Sequence, residues 1–162
     1  MTLNANTPTE FSIRVSKFIR ASRERVFEAW VRPEIRRKWW RTNRGEGPTT
    51  CEIDGRVGGK YLLKQIGSGA ETPAGVEDDY EWVIEGEFLE FDAPRRLVFT
   101  WNVNHPGEPS GDERVTIEFH EAEGGTEVTI SHEGILSSSL RDGTEKGWTK
   151  LLELQAEVLA QA

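Results

Sequence analysis

The residues in this chain whose types and spacing bear on chemistry are its histidines, its lone cysteine and its tryptophans. In Thr126-Glu127-Val128-Thr129-Ile130-Ser131-His132 polar and apolar residues alternate, so a strand that buries Val128 and Ile130 also turns His132 inward. An imidazole among apolar neighbours can orient a ligand's carbonyl or act as a general base. A core histidine satisfied by a hydroxyl or a backbone carbonyl would occupy the same place. His120 shares the outward face with Thr116 and Glu118, and His105 falls in a polar loop. The three histidines thus lie on different elements and give no metal-binding spacing. Cys51 has no evident His or Asn partner and reads as a small hydrophobe. Ser137-Ser138-Ser139 lacks the Gly-x-Ser-x-Gly frame of a nucleophile elbow. No phosphate-binding glycine motif is present. His132 is therefore the one candidate for catalysis, and no metal or cofactor is expected.

Aromatic residues carry the stronger signal. Six Trp and two Tyr stand among 162 residues. Trp39, Trp40, Trp82, Trp101 and Trp148 come from well-separated segments that a folded core would bring together. Such rings line ligand pockets, and they also make ordinary cores. Tyr61, Trp82, Trp101 and His132 are the expected lining of a pocket, with Trp39 and Trp40 at its mouth.

Charge is unevenly spread. From Arg14 to Arg44 there are eleven Lys or Arg against three Glu, a net +8. From Gly45 onward nine basic residues face twenty-four acidic ones, a net −15. The whole chain carries −8, which argues against general nucleic-acid binding. Arg36, Arg37 and Arg41 form a basic group expected to favour an anionic head group or an acidic partner surface. Internal pairing and solvated faces would account for the same distribution.

The elements that position these groups follow from periodicity. Phe11 to Lys17 alternates as a half-buried strand. Ser22 can cap a short helix from Arg23 to about Val31. Pro33 suits the first position of a second short helix, with Ile35 and Trp39 on its apolar side and Arg36, Arg37, Lys38 and Arg41 on its polar side. Strands are expected over Thr50 to Ile53, Lys60 to Ile66, Tyr80 to Phe91 with a bulge at Gly86, Leu97 to Asn102, Arg114 to His120 and Thr126 to His132. Gly67 to Asp79 and His105 to Asp112 read as polar loops. Ser139 is the expected N-cap of a long terminal helix, with Asp142 completing a capping box. Trp148, Leu151, Leu152, Gln155 and Leu159 recur along that helix at helical spacing. Gly143 and Gly147 fall within it four residues apart, which suggests that the helix approaches a strand closely there or leaves space, or that it starts later, at Thr144.

Strand, two short helices, a run of antiparallel strands and a long helix is an α+β order. A curved antiparallel sheet wrapped around the C-terminal helix satisfies it, and such a shape readily leaves a hollow between sheet and rod. The expected organisation is a disordered leader over residues 1–10 and one domain over 11–162. The N-terminus has no basic start and no apolar core of a signal peptide. No apolar run approaches the roughly 20 residues of a membrane span. A single cysteine cannot form an internal disulfide. The chain reads as cytoplasmic.

Several stretches resemble the START-like, helix-grip superfamily, also called the SRPBCC or birch-pollen-allergen-like fold. More narrowly, they resemble the family named after the activator of heat-shock protein 90 ATPase. These are Ile19 to Trp30, Pro33 to Trp40 with its paired aromatics, the Val57-Gly58-Gly59-Lys60-Tyr61 turn, the hairpin from Gly86 to Trp101, and Gly124 to His132 with Gly147-Trp148. The resemblance covers nearly all of residues 11 to 160. It implies a helix-grip fold with a small-molecule or lipid cavity in some members, catalysis in a few and co-chaperone work in the namesake. The expected functions are therefore binding of a small hydrophobic ligand or lipid, including one with an anionic head group, or contact with a chaperone. A third is cyclase or hydrolase chemistry using His132. Monomer and homodimer both remain open.

Overall fold

The computed structural model describes residues 10–41, 47–68, 79–104 and 112–160. Residues 1–9 of the expected leader, most of the Gly67–Asp79 loop and residues 105–111, with His105, lie outside them. In chain order the elements are β1 (Phe11–Ile19), α1 (Arg23–Val31), α2 (Pro33–Trp39), β2 (Thr50–Ile53), β3 (Lys60–Ser68), β4 (Asp79–Asp92), β5 (Arg96–Val103), β6 (Glu113–Ala122), β7 (Gly125–Ile135) and α3 (Ser138–Ala160).

The seven strands form one curved antiparallel sheet in the order β1-β7-β6-β5-β4-β3-β2. Period-two alternation sends Leu97, Phe99, Val115, Ile117, Phe119, Val128, Ile130 and His132 to one face, where all are buried. That face packs against the helices. The long helix α3 lies mainly on β1 and β7, while α1 packs on β6 and β7 and α2 on β2. The architecture is the expected helix-grip α+β fold.

Two backbone devices tune the sheet. Between Phe88 and Glu90 the register of β4 on β5 shifts, so Leu89 is the extra residue of a bulge. The bulge reverses the side-chain parity, which lets Phe91 rejoin Phe88 inside, their rings edge to face at 5.4 Å. It was expected at Gly86, but that residue has another task. A Cβ at Gly86 would collide with the Thr100 carbonyl and the Tyr61 ring, so glycine there admits both. Gly134, at φ 86°, accompanies the irregular pairing of β7 with β1 beyond His132.

The helix ends are satisfied by identifiable groups. Ser22 caps α1, its hydroxyl accepting from the Arg25 amide at 3.3 Å. At the far end of α1, its C-cap residue Arg32 and two side chains of α2 supply donors to the last carbonyls. The Arg32 amide donates to Glu28 O at 2.9 Å, Trp39 Nε1 to Ala29 O at 2.9 Å and Arg36 Nη1 to Trp30 O at 2.7 Å. For α3 the cap is Ser137, not Ser139: its hydroxyl accepts from the Leu140 amide at 3.1 Å. Asp142 then falls in the second turn, too far along to close a capping box. Gly143 and Gly147 lie inside the helix, and a Cβ at either would meet nothing within 4 Å. Of the two readings of these glycines, close approach to a strand is not there and open space is.

Candidate functional site

Residues from α1, α2, α3, β3, β5 and β7, with Trp40 just past α2, meet as a chain of rings. Trp30 stands 4.8 Å from Trp39, Trp39 5.5 Å from Trp40, and Trp40 5.8 Å from Trp148. Trp148 lies 5.1 Å from Trp101, which lies 5.5 Å from His132. Phe99 links Trp101 to Tyr61 at 6.5 and 5.4 Å. These are contact distances for aromatic pairs. The rings expected to wall a hollow therefore pack on one another.

His132 is fully buried, and both its ring nitrogens are engaged. The indole of Trp148 can only donate, and its Nε1 reaches His132 Nδ1 at 2.9 Å. Nδ1 is therefore an acceptor, and the proton resides on Nε2, which donates to Glu113 Oε1 at 2.8 Å. The Glu113 side chain is itself only 8% exposed. This chain joins β6, β7 and α3. It also leaves no nitrogen of His132 free to abstract a proton, which removes the basis for His132 as a general base in this arrangement. Glu113 and Trp148 were not singled out as partners of His132, although Glu113 closes the inward row that contains Val115, Ile117 and Phe119.

Tyr61 is buried with its hydroxyl donating to Thr100 O at 2.6 Å. Burial pushes its phenol well above the ordinary range. Trp101 and Trp82 are half-buried, and Trp82 meets Tyr80 edge to face at 5.5 Å. Trp39 and Trp40 were expected at a mouth. They are instead core residues, 0% and 2% exposed.

The expected basic rim is divided. Arg37 and Arg41 are exposed, with Arg37 Nη1 donating to Pro48 O at 3.2 Å and Arg41 Nε to Lys38 O at 2.8 Å. Arg36 turns inward and is 4% exposed. Its guanidinium lies 5.0, 5.2 and 4.4 Å from the rings of Trp30, Trp39 and Trp40. Three indole faces and the negative end of α1 stand in for a carboxylate. Burial nevertheless pushes its pKa down to about 10. The spacing contained this signal, because Trp39 and Trp40 follow Arg36 by three and four residues and so share its side of the helix.

One group of buried atoms has no partner. Gln155 is 0% exposed, and neither its Nε2 nor its Oε1 is hydrogen-bonded. Trp30 Nε1, Arg23 Nε, Arg36 Nε and Gln65 Oε1 share that condition. Each unpaired buried donor or acceptor costs about 1–3 kcal/mol. Elsewhere in the same interior, Trp39, Trp148, Tyr61, His132 and Thr126 all make hydrogen bonds.

Two surface depressions lie away from these rings. One of about 330 Å³ sits beside the start of α1, bordered by Arg20, Ser22, Arg23 and Glu121. The other, of about 490 Å³, runs between β1 and α3, bordered by Ser16, Lys146, Thr149 and Glu153. Among the described residues no group of three or more His, Cys, Asp or Glu could hold a metal ion, and no helix is long and apolar enough to cross a membrane.

Comparison with known proteins agrees with this architecture. An uncharacterised protein from Rhizobium leguminosarum superposes with a TM-score of 0.77 at 16% identity, over 96% of this chain and 98% of that one. A protein from Chromobacterium violaceum gives 0.72 at 26% identity, over 91% and 96%. The AHSA1-like protein from Aeromonas hydrophila gives 0.69 at 21% identity, over 93% of each. No curated protein matches the chain. The sequence profile described as "Activator of Hsp90 ATPase homolog 1-like protein" matches residues 20–160. That match spans both short helices, all of the sheet beyond β1 and the whole of α3, and the chain belongs to the Activator of Hsp90 ATPase homolog 1-like family.

Proposed function

We propose that this protein is a cytoplasmic helix-grip protein that holds a small hydrophobic molecule between its sheet and α3. The observation that carries this reading is the set of unpartnered polar atoms in the interior, above all the Gln155 amide. A core selected only for packing favours apolar side chains at such positions, because orphaned donors and acceptors weaken it. Trp101, Trp82, Trp39, Trp40, Tyr61 and His132 contribute apolar surface around that interior. The polar atoms of Tyr61 and His132 are already engaged, so they are walls and not hooks.

Native mass spectrometry of freshly purified protein reports a co-purifying compound directly. Titration with fatty acids and aromatic probes, followed by Trp fluorescence, reports binding. The reading fails if no compound co-purifies, no probe binds and Trp101→Ala changes no response.

A second reading rests on the exposed face of α2, where Arg37 and Lys38, with Arg41 just beyond, stand in solvent. That face suits an acidic protein surface, such as one on a chaperone. Pull-down by a bacterial chaperone that weakens with salt, and is lost in Arg37→Glu/Arg41→Glu, supports it. Retention of binding in that variant counts against it.

A further inference from the structure

Gln155 sits on the inner face of α3, three residues after Leu152, four before Leu159 and seven after Trp148, all of them buried. A glutamine side chain is long enough to bend toward solvent, yet this one is fully enclosed. Among the described residues no other side chain has both a donor and an acceptor buried and unpartnered. The other unpaired atoms are single: Arg36 Nε belongs to a guanidinium already held by Trp30 O and three rings, Arg23 Nε to one paired with Glu121, and Gln65 is half-buried on β3. Trp30 adds one unpaired donor from α1, which packs against α3.

We propose that Gln155 is the anchor of the ligand site. The ligand is a small, uncharged, largely apolar molecule carrying one group that both donates and accepts a hydrogen bond, such as a phenol or a primary amide. This rests on the ligand-binding reading and names its chemistry. The ligand is uncharged because a neutral amide cannot offset the burial of an ion. The buried cation, Arg36, is already cradled by the chain itself. It is small because Trp148, Leu152 and Leu159, which share the inner face of α3 with Gln155, are each 6% exposed or less. It carries a donor and an acceptor because Gln155 leaves one of each unsatisfied. A site of this kind discriminates strongly against an isostere that lacks the polar group.

The test uses the full chain and four probes: phenol, benzamide, toluene and benzoate. Binding is followed by Trp fluorescence excited at 295 nm. It is followed also by the side-chain amide pair of Gln155 in a ¹⁵N-resolved spectrum, assigned by its loss in Gln155→Met. Phenol and benzamide should bind the wild type and shift that pair, with toluene and benzoate at least 10-fold weaker. In Gln155→Met, phenol should weaken at least 10-fold and toluene should overtake it, while Tm rises by several degrees as the orphaned amide is removed. If phenol or benzamide binds without moving the Gln155 pair, or binds Gln155→Met as it binds the wild type, the anchor is wrong and the ligand-binding reading stands. A fall in Tm for Gln155→Met, with the pair unmoved by phenol, equally overturns the anchor. If none of the four probes binds the wild type and no compound co-purifies with it, both fall together.

Discussion

The indole of Trp148 on α3 donates to the imidazole of His132 on β7 at 2.9 Å, and this bond joins the terminal helix to the sheet through a buried polar contact. The imidazole passes the connection on to Glu113 of β6 at 2.8 Å. Removing the middle member strands an indole donor and a mostly buried carboxylate together. His132→Ala should therefore cost about 3–5 kcal/mol in urea unfolding. Trp148→Phe, which frees only Nδ1, should cost about 1–3 kcal/mol. A loss under 1 kcal/mol for His132→Ala would show that the chain of bonds does not hold the helix.

Tyr61 should make stability fall in alkali. Burial raises its phenol above the unfolded value of about 10, so the neutral form is the one that the fold favours. Its contribution is complete below about pH 10 and is lost as pH rises beyond that, because the unfolded chain then releases a proton that the folded chain retains. Tyr61→Phe removes this dependence. Denaturant midpoints measured from pH 8 to 11 should converge for the two proteins as pH rises, and parallel curves would refute the account.

Arg36 should resist even conservative exchange. Its planar guanidinium meets three indole faces while Nη1 caps the Trp30 carbonyl. A lysine ammonium cannot stack in that way and is more strongly hydrated. Arg36→Lys should cost about 1–3 kcal/mol, and Arg37→Lys, on the exposed side, under about 0.5 kcal/mol. Equal effects at the two positions in urea denaturation would contradict the inward placement.

Gly143 and Gly147 should be improvable. Each lies inside α3 with open space where a Cβ would project. Gly143→Ala and Gly147→Ala should each stabilise the fold by about 0.5–1 kcal/mol through helix propensity and a less flexible unfolded chain. Calorimetry showing either variant destabilised would mean that these positions carry a contact.

Much of this was legible because alternation and capping act over a few residues. The first short helix has the expected bounds and the second the expected start at Pro33, and every inward position read from period two faces the core. The bulge escaped because Phe88-Leu89-Glu90-Phe91 fits two registers, and the pairing of β4 with β5 chooses between them. The cap of α3 escaped because three consecutive serines offer equivalent hydroxyls, and only the turn after β7 selects Ser137.

The sequence by itself determined the element order, the sheet's inner face and the family, since these follow from local periodicity and from motifs in a fixed order. Which polar groups find partners was decided by tertiary structure. His132 and Gln155 are both inward polar residues on apolar faces, and nothing in their sequence neighbourhoods separates them. Folding gives His132 two partners from distant segments and Gln155 none, because hydrogen bonding depends on atoms brought to about 3 Å. Arg36 lies between these cases, pointed inward by helical spacing but held there by the end of α1, which only packing brings to it.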